Sequence, residues 1–279
     1  MKRASIILIL FLALGAWFFM PRTHAAPTGG VRIAALAPSV ASTLRAFGLQ
    51  DHIVARHGFD PVPHIPSAGD QAGLDHEVLV AVHPTHVYVS HMPVDKTLDT
   101  LAARYGWLVR DLTVHTLDEV LAFVETLWKD MLDVGLVEGE NATLQHMQDA
   151  FDQSIEFDGT VLLIVEANPY GAPAAASYHN QLLVRLGLTP AITADTNWVT
   201  LFHEDLLALA PDAIIALGPE SLLDTIRTLD LPATRTGHLA ALDDLEYQMP
   251  GPRLADFADD LVRIFDSWTP PEVAAIKPE

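Results

Sequence analysis

A fifteen-residue stretch occurs twice in this chain, degraded but legible in its second copy, and the repetition restricts the fold more than any other feature. The run Asp75-His76-Glu77-Val78-Leu79-Val80-Ala81-Val82-His83-Pro84-Thr85-His86-Val87-Tyr88-Val89 returns as Phe202-His203-Glu204-Asp205-Leu206-Leu207-Ala208-Leu209-Ala210-Pro211-Asp212-Ala213-Ile214-Ile215-Ala216. In each copy a His-Glu pair opens a helix of one to two turns. A proline follows seven residues after the glutamate, and then a short apolar run suited to a buried strand. Proline cannot continue the helix, so it closes the helix and hands the chain to the strand. Glu77 and Glu204 stand 127 residues apart. Residues 43–49 and 182–188 form a second pair, each ending a helix with Gly-Leu at an offset of 139, where glycine fits the left-handed position after a helix. Two related lobes are expected.

The 279 residues are enough for two lobes with a core each, and an apolar share of 50% suits a folded chain. Residues 1–25 read as an export signal: Lys2-Arg3, an uncharged apolar run over 6–20, then Thr23-His24-Ala25 with small residues where a signal peptidase cuts. Cleavage is expected near Ala25. The rival reading is an uncleaved anchor, since residues 4–20 approach the length needed to span a bilayer. Cysteine is absent, which removes disulfides, thiolate metal sites, cysteine nucleophiles and a lipidated cysteine. The formal charge is −20, and losing Lys2, Arg3 and Arg22 with the signal takes it to −23. Such a surface repels phosphate backbones, so a nucleic-acid role is not expected.

Along the chain, apolar runs predict strands over 31–35, 52–55, 87–90, 107–109 and 159–165. Helical spacing predicts helices over 38–47, 97–105, 117–132, 177–186, 221–229 and 254–268. Residues 56–73, rich in Gly, Pro and His, read as a loop, as do 166–176. The segment 138–157 has a helical pattern, and twenty residues would span about 30 Å, enough to cross between lobes. The expected organisation is a signal over 1–25, an N-terminal lobe over 26–135, a connecting helix over 136–158, a C-terminal lobe over 159–270 and a loose tail over 271–279. Alternating strands and helices make the class α/β, two Rossmann-like lobes with parallel-type sheets.

Hydrolase, P-loop and dinucleotide-binding signatures are absent. His76-Glu77 and His203-Glu204 begin like a zincin, but Val80 and Leu207 stand where the second histidine belongs. His83 and His86, three apart around a proline, cannot share a helix face. His57, His91 and His179 stand out by lying in or beside loops that follow strands, where open α/β sheets bind ligands. An acid in a first helical turn can simply stabilise the helix dipole. The recurrence of Glu77 and Glu204 at equivalent points favours a paired use.

The run Arg32-Ile33-Ala34-Ala35-Leu36-Ala37-Pro38-Ser39 with Phe47-Gly48-Leu49, Gly69-Asp70, Glu77 and Ala81-Val82-His83-Pro84 resembles the helical-backbone periplasmic binding proteins that serve vitamin B12, haem and iron-siderophore importers. So do Ser177-Tyr178-His179-Asn180-Gln181-Leu182-Leu183, Trp198, Glu204, Ala210-Pro211-Asp212 and Gly251-Pro252-Arg253-Leu254. The resemblance implies one long rigid helix between the lobes, an interlobe cleft, a monomer without catalytic activity or resident cofactor, and delivery of a small metal-chelate or macrocycle ligand to an inner-membrane ABC permease dimer. The ligand itself would carry iron or cobalt. One glutamate per lobe docks on permease arginines in that family, and Glu77 and Glu204 fall at those positions. Trp198 falls on a cleft aromatic of the vitamin B12 binder, while Leu245 and Met249 replace its polar contacts and Gln71 and Ser90 its tryptophans. Haem or an iron chelate would use Tyr or His as ligand, with Arg56 facing a carboxylate and the helix starting at Ser39 offering amide hydrogens. The cleft candidates are Arg56, His57, Phe59, His91, Tyr170, Tyr178 and Trp198. A divalent-metal binding protein and an exported enzyme using the cleft are the alternatives.

Overall fold

The structure, a computed structural model, describes residues 30–268 except Pro61, Pro63, Gln71, Met92, Pro93 and Val94. The signal expected over 1–25 and the tail over 271–279 lie outside the described residues. Among the described residues no helix is long and apolar enough to cross a membrane.

The first lobe runs β1 (Ile33–Ala35), α1 (Pro38–Ala46), β2 (Ile53–Arg56), β3 (Gly69–Asp70), β4 (Gly73–Leu74), α2 (His76–Val82), β5 (His86–Val89), α3 (Lys96–Tyr105) and β6 (Leu108–Asp111). Two helices follow, α4 (Leu117–Asp133) and α5 (Ala142–Phe151). The second lobe runs β7 (Thr160–Ile164), β8 (Tyr170–Pro173), α6 (Tyr178–Arg185), β9 (Thr189–Pro190), β10 (Trp198–Leu201), α7 (His203–Leu209), β11 (Ala213–Leu217), α8 (Pro232–Thr236), β12 (Leu239–Leu242) and α9 (Arg253–Trp268).

The main sheets are four-stranded and parallel throughout, β2-β1-β5-β6 and β9-β7-β11-β12. Numbering in chain order only the strands of each main sheet, both read 2-1-3-4. The lobes therefore share a topology as well as a sequence motif. The repeats fold alike: α2 and α7 are seven residues each, and both end on a left-handed non-glycine residue, His83 (φ 46°) and Ala210 (φ 45°). The Gly-Leu pairs also behave alike, with Leu49 N–H donating to Leu44 O and Leu188 N–H to Leu183 O. Strands β7 and β11 are almost wholly buried, as parallel strands covered on both faces must be.

One apolar cluster joins the lobes. It takes Ile33 and Tyr88 from the first sheet, Leu163 and Ile215 from the second, Val124, Leu127 and Met131 from α4, Phe151 from α5 and Phe257 and Leu261 from α9. Smaller clusters lie on the outer face of each sheet. Polar ties secure α4 at both ends. Its first residue donates N–H of Leu117 to Gln181 Oε1 on α6 at 2.8 Å, and Asp130 accepts from the Tyr88 hydroxyl at 3.0 Å and from Arg110. A third tie runs from α1 to the turn before α9: Ser42 Oγ and Arg45 both donate to Glu246, and Arg45 also pairs with buried Asp60.

The connecting helix differs from expectation. Residues 136–158 are not one helix: α5 covers Ala142–Phe151, started by Asn141, whose side chain accepts from Leu144 N–H. It stops because Ile155 N–H is taken by Leu186 O, which pulls the chain out toward α6. The long member is α4, seventeen residues and about 25 Å at 1.5 Å per residue. Its start is set by a reciprocal cap between Thr116 and Glu119. Two further differences are β8, lying inside the expected loop over 166–176 and paired antiparallel with β10, and residues 221–229, which form 3₁₀ turns.

Because the lobes share a core, truncation at its centre should weaken both together. Leu127→Ala should lower unfolding stability by about 2–5 kcal/mol while urea denaturation, followed by tryptophan fluorescence and circular dichroism, remains one transition. Two separated transitions would refute the shared core.

Candidate functional site

Two adjoining cavities lie at the carboxyl ends of both parallel sheets. The first, about 370 Å³, is lined by His91, Val114 and His115 from the N-terminal side and by Val165, Pro173, Tyr178, His179, Asn197 and Trp198 from the C-terminal lobe. The second, about 340 Å³, is lined by residues 36–39 after β1, by His57 and Phe59 after β2, and by Asp70, Ser90 and Met249. His91, Gln248 and Pro250 border both, so the two are compartments of one cleft. Strand carboxyl ends are where open α/β sheets take ligands.

Each wall has a local cause. Trp198 opens β10 opposite Pro173 of β8 and is 41% exposed. Its ring lies where a side chain at Gly171 would come, since a Cβ there would stand 2.6 Å from it. Tyr178 starts α6 behind the Ser177 cap, and its hydroxyl donates to Gln248 O at 2.7 Å. Burial pushes its phenol upward, so it forms wall rather than an anionic oxygen ligand. His179 is wholly enclosed and its Nε2–H donates to Tyr247 O. Gln248 is held from both sides, donating Nε2–H to Leu217 O at 2.6 Å, at the end of β11.

His91 Nδ1 lies 2.8 Å from Ser90 Oγ, and its ring meets His115 edge to face at 5.1 Å. His115 Nδ1 accepts from Asn197 Nδ2 across the lobe junction. Burial, reinforced by His115, lowers the His91 pKa, and burial lowers that of His57 against the pull of Asp70 and Asp60. Both imidazoles are therefore neutral near pH 7. The Ser90–His91 contact has, among the described residues, no carboxylate on the second ring nitrogen to orient it as a catalytic base. Also among the described residues, no group of three or more His, Asp or Glu is placed to hold a metal ion, the convergence the divalent-metal alternative requires.

Of the seven cleft candidates, His57, Phe59, His91, Tyr178 and Trp198 line the cavities, and two do not. Arg56 turns back onto its own loop, donating to the carbonyls of Ile65, His57, Gly58 and Asp60. It satisfies backbone acceptors and lines neither cavity. Tyr170 is 1% exposed within the outer core of the second lobe, its hydroxyl 3.3 Å from His203 Nε2. Leu245 is exposed outside the cavities, and Gln71 lies outside the described residues. His115, Asn197 and Gln248 were missed. For His115 a signal existed, because the Thr116–Glu119 cap places the preceding residue at the sheet edge. Glu77 and Glu204 each occupy the second position of their helix, exposed, and neither enters an ion pair among the described residues.

No protein-family model matches the sequence, and no curated protein matches it. Solved structures share the fold, that of the periplasmic binding proteins. The haem-binding protein RhuT of Roseiflexus sp. RS-1 superposes with a TM-score of 0.67 at 19% identity, over 86% of this chain and 100% of that one. The vitamin B12 binding protein BtuF of Vibrio cholerae gives 0.65 at 17% identity, over 86% and 98%. An ABC-type Fe3+-hydroxamate transport system protein of Saccharomonospora viridis gives 0.61 at 20% identity, over 84% and 92%.

His179 gives the site a pH signature. Burial holds its pKa near 4, below the ordinary 6.5, so between those values the unfolded chain takes up a proton that the folded chain refuses. Stability should fall with decreasing pH across that window by about 1.4 kcal/mol per unit and level off below it. In urea titrations His179→Gln should lose this increment of slope; equal slopes would assign it to other groups.

Proposed function

We propose that this chain is the exported solute-binding component of an ABC importer. Its ligand is an iron-siderophore, haem or corrinoid held between the lobes, and it docks on the permease dimer through Glu77 and Glu204. The observation that carries the reading is the duplicated frame. Two lobes of identical strand order turn their strand carboxyl ends to one cleft, and each presents an exposed carboxylate at the same point of the same short helix.

An exposed carboxylate gains little from a partner in affinity but fixes register and speeds encounter. A pair, one per lobe, suits a twofold receptor that offers the same cationic patch twice. The cleft supports binding without turnover: its histidines are held by neighbours and its Tyr178 proton is committed to a carbonyl. Trp198 offers an aromatic face to a flat or bulky ligand. The haem-binding, vitamin B12-binding and Fe3+-hydroxamate transport proteins that share the fold support the solute-binding role. They leave the three ligand classes open, because one fold serves all of them. Export is part of the reading, with cleavage near Ala25, and the protein acts as a monomer.

Reversing both carboxylates, Glu77→Arg with Glu204→Arg, should abolish stimulation of the permease ATPase in reconstituted vesicles and leave ligand affinity unchanged. Undiminished stimulation would remove the docking assignment. Wild-type docking should also weaken as salt is raised, since exposed charges are screened beyond about 10 Å at 0.1 M.

A further inference from the structure

The proposed role leaves the charge of the ligand open, and the cleft bears on it. Twelve residues line each compartment and three are shared, leaving twenty-one, among which there is no lysine or arginine. The one carboxylate is Asp70. Cations near the cleft in sequence are committed elsewhere. Arg56 serves four carbonyls, Arg45 bridges Asp60 and Glu246, and Arg253 pairs with Asp244 and Asp256.

We infer that the cleft selects an electroneutral or cationic metal chelate and disfavours one with free carboxylates. The inference rests on the binding role proposed above and narrows its ligand. A carboxylate brought out of water needs a paired cation or several donors to recover its hydration. The polar groups the lining offers include the imidazoles of His57, His91 and His115 and the amides of Asn197 and Gln248. His57 and His91 are depressed by burial and add no charge near pH 7.

The start of α1, at Pro38 and Ser39, brings partial positive charge to the second compartment. A helix start is worth about half a positive charge, and the carboxylate of Asp70, which also accepts from Ala72 N–H, lines the same compartment and opposes it. The chain's formal −20 adds a field that draws cations and repels anions.

The test is isothermal titration calorimetry on the purified chain at neutral pH with four probes: ferrichrome, uncharged; ferrioxamine B, cationic; ferric citrate and haemin, both anionic. Ferrichrome or ferrioxamine B should bind at least about tenfold tighter than either anionic probe. Asp70→Asn should weaken ferrioxamine B about two- to fivefold relative to ferrichrome. Ser90→Arg, which places a cation in the second compartment, should raise affinity for ferric citrate; circular dichroism would confirm that both variants fold. Ferric citrate or haemin binding as tightly as ferrichrome overturns the charge selection and leaves the transport reading standing. Failure of all four probes to bind removes the metal-chelate reading, and the charge selection goes with it.

Discussion

The apolar face of α4 is buried in a cluster that reaches into both sheets, and the rest of the molecule depends on that burial. Leu127 and Met131 are fully enclosed among side chains from β1, β5, β7, β11, α5 and α9. Swinging one lobe away from the other would return such groups to water, which costs in proportion to the apolar area exposed. Asp130 and Gln181 fix α4 to opposite lobes, and Glu246 adds a polar clasp from the far side. Domain closure by a hinge needs a few residues that can absorb large backbone changes. Here the junction is packed core, so the cleft is preformed.

That lining follows from a division of labour among the polar residues. Arginines are spent on the frame. Arg32 ties the carbonyls of Val82 and His83 at the end of α2, and Arg56 gathers four carbonyls of a proline-rich loop. A loop without regular structure has backbone acceptors that need partners, and a guanidinium with five donors answers several at once. The consequence reaches the site, because an arginine engaged in this way does not face the cleft. Histidine and amide side chains are left to line the cavities, with Trp198, Tyr178 and Phe59 supplying aromatic surface.

Much of this frame was legible in the sequence, for identifiable reasons. The repeat at residues 75–89 and 202–216 marked both central strands, because proline after a short helix and an apolar run is a local signal. Amphipathic spacing located α4 and α9 to within a residue or two. The twenty-residue helix over 138–157 failed, since periodicity continues past Phe151 while the backbone does not. What ends α5 is a hydrogen bond from Ile155 to Leu186, thirty-one residues away, which no local window contains. Arg56 and Tyr170 were misplaced for a related reason: position beside a strand end was readable, but side-chain direction depends on partners distant in sequence. Gln248 was invisible because a 3₁₀ turn at residues 245–248 carries it to the end of β11, and only the fold brings those together.

Duplication also explains a shared irregularity that neither lobe would be expected to need alone. A left-handed conformation at a non-glycine residue costs about 1–2 kcal/mol, yet His83 and Ala210 both adopt it. Each precedes a proline, which disfavours the right-handed helical region for the residue before it. Each must also turn the chain from a helix into the central strand of a sheet. The left-handed residue meets both demands in one step, and it does so with nearly the same φ in both lobes. Glu77 and Glu204 ride on those helices. Their geometry relative to each sheet is therefore set by the backbone and not by the loops that differ between lobes. The lobes differ elsewhere, with the short β3–β4 hairpin in one and the longer β8–β10 ribbon in the other, while the two exposed carboxylates hold the same position of the same short helix.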